Sequence, residues 1–308
     1  MNIIFFGNGN FALKSLQKLV NNNSHKILAV VTNKSKKKGR GLEFVKTSIA
    51  SYSYENSLNV IEIDNICSDV FINELKRYNA DIFIVIEYKI LPYEIFNIPK
   101  YGTMNIHASL LPRYRGASPI QTALINGDKE LGVTSFILNK SIDKGDIINQ
   151  LSYNFDDTVT YSDAYNKLSI LGAELMIDSL KSVKEGRKLI KQNNKNLLHA
   201  PKFKKSDYRL DITDDARNIH NRIRGLTSSK PPRPYLFIKN KKVNFFETYY
   251  VYQDNRNEIG EHYSFDNKLY ICCGKGFLTI NQLKVENKNI IRAKDFSNIS
   301  YLKNEKFY

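Results

Sequence analysis

The sequence predicts an α/β domain built on a doubly wound, mostly parallel sheet (Rossmann-like), followed by a small OB-like β-barrel domain. Three observations carry that prediction. Short, wholly apolar runs alternate with helical patterns through the first half of the chain. A glycine turn joins the first run to the first helix. From Tyr235 onward the hydrophobic period changes to two.

Residues 2–6 form a buried strand ending at Gly7, and Phe11, Leu13, Leu16, Leu19 and Val20 mark the helix after it. Strands follow at 27–31, 59–63 and 81–86, with a helix over 70–78 between the last two. Buried strands separated by helices require a parallel sheet covered on both faces. Strands at 103–106 and 132–138 extend it, and residues 162–184 form a long amphipathic helix through Leu168, Leu171, Leu175 and Leu180. Periodicity then fails over 187–205, where Lys191-Gln192-Asn193-Asn194-Lys195-Asn196 is polar throughout. The expected organisation is a first domain over 1–188, a linker over 189–205 and a second domain over 206–308. The second domain opens with a short helix over 214–224. It continues as strands at 235–238, 243–251, 269–273 and 277–283, with Gly274-Lys275-Gly276 as a hairpin turn.

The chain has 308 residues and a net charge of +15. Such a balance points either to a polyanionic partner or to a coding bias toward Lys, Asn and Ile, in all of which the sequence is rich. The charge is uneven: residues 201–308 hold 21 of the 46 basic residues and 12 of the 31 acidic ones. Cys67, Cys272 and Cys273 have neither a metal-ligand spacing nor a disulfide framework. The apolar start is too short for a signal peptide and no run reaches membrane-spanning length, so a cytoplasmic chain without a membrane segment is expected.

Gly7-Asn8-Gly9-Asn10-Phe11-Ala12 fits the dinucleotide pattern G-x-G-x-x-G/A between strand and helix. An NAD site also wants an acid near the end of the second strand, where Thr32-Asn33-Lys34 stands; the first acid in the chain is Glu43. A tight turn that lets the helix pack on the strand is therefore the better reading.

The stretch Asn105-Ile106-His107-Ala108-Ser109-Leu110-Leu111-Pro112-Arg113-Tyr114-Arg115-Gly116 carries the chemistry. Asn105 and His107 are two residues apart at the end of a strand, so they share a face at the carboxyl edge of the sheet. Asp143, in the turn Ser141-Ile142-Asp143-Lys144-Gly145-Asp146, offers a carboxylate to the same edge. An amide, an imidazole and a carboxylate on one rim suit acyl transfer to an amine. The first two stabilise an oxyanion, while the third holds the histidine charged and takes up the proton of the attacking amine. Each also has an ordinary structural use: a lone histidine in a core, an aspartate in a turn, an asparagine at a strand end.

At these residues the sequence resembles the folate-dependent formyltransferases, and within them the methionyl-tRNA formyltransferases. The motif over 105–116 is followed in order by Ala117-Ser118-Pro119-Ile120-Gln121, Asn126-Gly127-Asp128, Gly132-Val133-Thr134 and Ile142-Asp143-Lys144-Gly145-Asp146-Ile147. The similarity extends from the first strand through Gly39-Arg40-Gly41 and Ile90-Leu91-Pro92 to Leu171-Gly172-Ala173-Glu174-Leu175. It continues more faintly into Ala200-Pro201-Lys202 and Ile223-Arg224-Gly225-Leu226.

The resemblance implies that Asn105, His107 and Asp143 are catalytic. It assigns Ser109, Leu110, Leu111 and Pro112, with Tyr88 and Ile90, to the 10-formyltetrahydrofolate site. It makes residues 34–41 a tRNA-entering loop, with Arg40 as the main contact beside Lys36, Lys37 and Lys38. The implied reaction is formyl transfer to the amino group of initiator methionyl-tRNA by a monomer, with no metal implied. The chain departs from the family pattern in several places. Residues 34–38 and 43–48 hold no proline, Glu87 and Lys89 stand where small or neutral residues are usual, and 227–235 only loosely follow the family's proline pattern. Three other functions fit some of these features: a sugar N-formyltransferase acting on a nucleotide-linked amino sugar, a formyltetrahydrofolate hydrolase, or a tRNA-binding module without catalysis. The basic loop and C-terminal region favour tRNA over the first two, and the intact trio argues against the third.

Overall fold

The computed structural model describes residues 1–38, 43–228, 231–253, 257–299, 302 and 304–308. The chain divides into two compact units. One comprises Met1–Gly116, Gly132–Tyr153 and Tyr165–His199, the other Ala117–Leu131, Asn154–Ala164 and Ala200–Tyr308.

The first unit is organised by a seven-stranded sheet. In chain order the elements begin with β1 (Asn2–Gly7), α1 (Asn10–Val20), β2 (Lys26–Thr32), β3 (Lys36–Lys38), β4 (Glu43–Val45), α2 (Ser48–Glu55), β5 (Val60–Glu62), α3 (Asp69–Arg77) and β6 (Ile82–Ile86). Next come α4 (Tyr93–Phe96), β7 (Thr103–His107), β8 (Arg115–Gly116), α5 (Pro119–Ile125), β9 (Glu130–Ile137), β10 (Ile147–Asn154) and α6 (Tyr161–Lys184). The sheet order is β10-β9-β7-β6-β1-β2-β5. β1, β2, β5, β6 and β7 pair in parallel, whereas β9 runs antiparallel to β7. Ile3, Ile4, Phe5 and Phe6 of β1 and Ile82, Phe83 and Ile84 of β6 are wholly buried, as strands covered on both faces must be. Phe71 and Leu75 of α3 and Ile95 and Phe96 of α4 pack into one core with Ile4, Phe6, Phe83 and Val85. The chain runs outward from β1 to β2 and β5, then returns to β6 on the other side of β1. The sheet therefore switches direction between the carboxyl ends of β1 and β6.

The rest of the chain supplies β11 (His199–Ala200), α7 (Ala216–Leu226), β12 (Tyr235–Ile238), β13 (Lys241–Val251), β14 (His262–Phe265), β15 (Lys268–Cys272), β16 (Phe277–Val285) and β17 (Ile291–Arg292). The antiparallel strands of the second unit, in the order β12-β13-β16-β15-β14 with β17 against β16, curl into a half-barrel. Ile219 and Ile223 of α7 join Leu236, Val243, Phe245, Leu269, Leu278 and Ile280 in its core.

The expected fold class is observed, and the differences are local. The sequence alone keeps residues 1–188 in one domain, but 117–131 and 154–164 pack with the C-terminal residues. α5 lies against α7, and Gly225 permits the approach: a Cβ there would meet Ile125 Cγ1 at 2.9 Å and the Gln121 carbonyl at 3.1 Å. Among the elements that the sequence reading misses, β10 and α2 do so for plain reasons. β10 buries only its first two residues, so its apolar signal is short. α2, Ser-Ile-Ala-Ser-Tyr-Ser-Tyr-Glu, has weak helix formers and is set by its Thr47 cap, whose hydroxyl accepts from the Ala50 N–H at 3.0 Å.

Candidate active site

β7 delivers Asn105 and His107 to the carboxyl edge of the sheet. The Asn105 amide donates to the Val85 carbonyl on β6 at 2.9 Å, which uses one of its two N–H bonds. His107 is 9% exposed, and its Nε2 lies 2.9 Å from the Tyr114 carbonyl. A carbonyl only accepts, so Nε2 is the donor in this bond.

The loop after β7 is braced by its own hydrogen bonds. The Ser109 hydroxyl donates to the Arg113 carbonyl at 2.7 Å, and the Arg113 N–H donates to the Leu110 carbonyl at 3.1 Å. Buried Thr134 of β9 donates to the Ser109 carbonyl at 2.6 Å and accepts from the Leu111 N–H at 3.0 Å. Gln150 of β10 adds bonds to Thr134 Oγ1 at 2.8 Å and to the Leu111 carbonyl at 2.9 Å. Tyr114, whose carbonyl orients His107, is buried with φ +60°.

Asp143 sits in the turn between β9 and β10 with φ +53°. Its carboxylate accepts from the Gly116 N–H at 2.9 Å. The sequence alone pairs Asp143 with His107, as the carboxylate that holds it charged. In the structure the Tyr114 carbonyl fixes the imidazole, and among the described residues the carboxylate and the imidazole bond to different groups.

A cleft of about 350 Å³ opens between the segments that follow β6 and β9. Tyr88, Ile90, Leu91, Tyr93, Phe96 and Leu138 give it apolar and aromatic walls, with Asn105 and Asp143 among its polar residues. Ile90 is 75% exposed and Ile142 62%, so the rim shows apolar surface of the kind a flat ligand covers. Lys140 lies over the Tyr93 ring at 4.6 Å, and Lys89 donates to the Asp64 carbonyl at 2.6 Å. Burial, with Asp64 nearby, pushes the Tyr88 hydroxyl up to about 12. Its ring packs edge-on to Phe6 at 5.7 Å.

The structure thus gathers Asn105, Asp143, Tyr88 and Ile90 around one cleft. Ser109, Leu110, Leu111 and Pro112 stand outside its lining: Leu111 is buried with Phe136 and Ile147, and Leu110 lies against Gly132. Burial of Leu111, the contact of half-buried Leu110 with Gly132 and the bonds to Thr134 hold this segment in the loop that orients His107.

The glycine turn after β1 holds no room for a dinucleotide pyrophosphate. The Glu87 carboxylate fills it, accepting from the Phe11 N–H at 3.2 Å and from the Tyr165 hydroxyl at 2.9 Å. A Cβ on Gly9 would lie 1.9 Å from Glu87 Oε2, so any side chain there would have to displace the carboxylate. α1 has no acidic residue in its first turn, and Glu87 supplies the anion its N-terminus favours. Burial raises the Glu87 carboxyl above its ordinary range, opposed by bonds from Tyr165, Phe11 and Ala12. The sequence marks Glu87 as unusual without revealing this partner, which lies 76 residues away.

Lys36, Lys37 and Lys38 form β3, paired antiparallel with Val45, Phe44 and Glu43 of β4. Lys36 to Lys38 thus form one arm of a hairpin, and Arg40 lies outside the described residues. Its base is fastened by Ser35, whose N–H and hydroxyl both donate to Glu62 Oε2 at 3.0 and 2.9 Å.

Among the described residues no group of three or more His, Cys, Asp or Glu is arranged to hold a metal ion, and no helix is long and apolar enough to cross a membrane.

Residues 1–180 match the formyl transferase family, and residues 202–300 match the formyl transferase C-terminal domain. A methionyl-tRNA formyltransferase of Thermodesulfovibrio yellowstonii is 37% identical over 96% of this chain and 94% of its own length. One of Fusobacterium nucleatum is 33% identical over 98% of both. Among solved structures, a sugar 3N-formyl transferase in the presence of dTDP and 5-N-formyl-THF has a TM-score of 0.68 at 21% identity, covering 94% of this chain and 99% of that one.

Proposed function

The chain belongs to the formyl transferase family, and we propose that it moves a formyl group from 10-formyltetrahydrofolate to the amino group of methionine on initiator tRNA, producing N-formylmethionyl-tRNA for translation initiation. The observation that carries this acceptor is the end-to-end likeness to methionyl-tRNA formyltransferases, against a far lower identity to a sugar-modifying enzyme of the same fold.

The donor supplies the formyl carbon on its N10. The cleft suits such a ligand: Tyr88, Ile90, Leu91 and Phe96 offer apolar contacts to a flat ring, and Lys89 and Lys140 offer positive charge to an acidic tail. Asn105 retains an amide proton beyond the one given to Val85, and this is assigned to the formyl oxygen. His107, fixed through Nε2, presents Nδ1; when protonated, that nitrogen donates to the same developing negative charge. The attacking amine must be neutral and loses a proton on acylation, which Asp143 is assigned to receive; collapse of the tetrahedral adduct then breaks the C–N10 bond and releases tetrahydrofolate, with a proton returned to N10. Ser109, Leu110, Leu111 and Pro112 serve donor binding by holding the loop in shape. Lys36, Lys37, Lys38 and Arg40, together with the basic C-terminal unit, are assigned to tRNA phosphates. A cytoplasmic monomer fits this role.

The test is transfer of labelled formyl from 10-formyltetrahydrofolate to methionyl-tRNA, with a nucleotide-linked amino sugar as competing acceptor and His107→Ala as control. Transfer to tRNA that disappears in the control is expected. Formylation of the sugar with none of tRNA would replace this reading by the sugar N-formyltransferase.

A further inference from the structure

The polar stretch after α6 has the composition of a linker, yet it reaches into the candidate site. Ile190 exchanges backbone hydrogen bonds with Ile147 at 2.8 and 2.9 Å, which anchors the segment beside β10. Two residues on, Gln192 meets Arg115, a residue only 5% exposed. Arg115 donates from Nε and Nη2 to Gln192 Oε1 at 3.0 and 2.7 Å, and from Nη1 to Asn194 Oδ1 at 3.3 Å. At the other end of the same amide, Gln192 Nε2 donates to the carbonyls of Asp143 at 3.0 Å and Gly145 at 2.7 Å. The Asp143 carboxylate in turn holds the N–H of Gly116, the residue bonded to Arg115. These bonds close a ring: Arg115, Gln192, Asp143, Gly116 and back to Arg115.

From this ring we infer that Gln192 is a positioning residue for formyl transfer, holding the Asp143 turn in register with the loop that carries Arg115 and Tyr114. The inference rests on the proposed role of Asp143 as the proton acceptor. The chemistry of the amide explains the choice of residue. A guanidinium only donates and a carbonyl only accepts, so the group between them must accept at one end and donate twice at the other. Glutamate in its place would set a carboxylate against two carbonyl oxygens, and alanine would leave Arg115 and both carbonyls without these bonds. Asp143 holds a left-handed backbone of φ +53° in a turn that the two Gln192 bonds brace from outside.

The experiment compares full-length wild type, Gln192→Ala and the near-isosteric Gln192→Glu, each alone and with Asp143→Asn. Steady-state transfer to methionyl-tRNA is measured alongside backbone amide exchange at Gly116. Expected are a fall in kcat of roughly 10- to 100-fold with little change in KM for either substrate, and faster exchange at Gly116. A Gln192 change should add nothing once Asp143 is asparagine. A folded Gln192→Ala or Gln192→Glu protein with wild-type kcat, losses that multiply in the Asp143→Asn background, or unchanged exchange at Gly116 would overturn the inference. Wild-type protein that leaves methionyl-tRNA unmodified counts against the parent reading instead. The Gly116 exchange rate needs no substrate and judges the positioning role in that case too.

Discussion

The carboxyl ends of β1 and β6–β7 lie at the same edge of one sheet, and they have opposite fates. After β1 the chain carries a glycine pattern that elsewhere cradles phosphate, and here the cradle is filled by the protein's own Glu87 carboxylate. After β6 and β7 the sequence has no comparable glycine fingerprint, and here the cleft opens. Both ends follow from the switch in strand order between β1 and β6, which parts the connections at that edge. What distinguishes them is the side chain that arrives from the neighbouring strand. Glu87, one residue past β6, turns toward α1 and closes one end; Tyr88 to Pro92, immediately after it, wall the other. A motif marks a backbone shape, and the surrounding chain decides whether that shape is available to a ligand.

The largest effect should fall on the open end. His107→Ala is expected to lower formyl transfer by roughly 10²- to 10³-fold in the folded protein, the cost of losing one oxyanion donor. Wild-type turnover in this variant would remove His107 from the chemistry and erase the contrast between the ends.

At the closed end the effects should be on stability. Gly9→Ala forces a methyl into the space of Glu87 Oε2 and should destabilise the fold by about 1–3 kcal/mol, the usual cost of overpacking. Glu87→Ala should relieve most of that penalty when the two are combined, as read from denaturant unfolding. Additive losses would mean that the carboxylate does not occupy the turn.

A smaller effect distinguishes a buried carboxylate from a neutral filler. The folded pKa of Glu87 is raised, so the folded protein holds this proton more tightly than the unfolded chain. Stability at this site is fully present below the unfolded pKa and is given up as pH rises toward the folded one. Glu87→Gln should remove that loss, so its melting temperature relative to wild type should rise from about pH 4 to pH 7. A constant offset across that range would show that hydrogen bonding to the carboxylate cancels its burial, and a falling one that it outweighs it.

The hairpin sharpens the contrast from a third side, since it serves neither strand end. Replacing Lys36, Lys37 and Lys38 by alanine should weaken tRNA binding and flatten its dependence on salt, by up to about 0.7–0.9 for each phosphate no longer neutralised. The rate of the chemical step at saturating tRNA should be unchanged. An unaltered salt slope would free the hairpin from any part in phosphate binding.

Much of this is legible in the chain itself. Alternating apolar runs and helical periods are local signals, so the parallel sheet, the half-barrel beyond it and the placing of Asn105 and His107 on one strand face follow from spacing alone. The run of motifs from Asn105 to Ile147 carries the family resemblance, because reacting groups must keep their order along the loops that bear them. Other features depend on residues far apart in sequence coming together. That Glu87 plugs the glycine turn, that Tyr114 rather than Asp143 orients His107, and that Gln192 in an aperiodic stretch bonds to Arg115 and the Asp143 turn are all matters of packing. The grouping of 117–131 with α7 is another. A hydrogen bond is decided by where two groups come to rest, and polar residues in loops have no period to announce it. The principal strands and helices and the residue chemistry were therefore determined by the sequence alone, while the short or weakly patterned elements and the choice of partner for each polar group were settled only when the chain closed on itself.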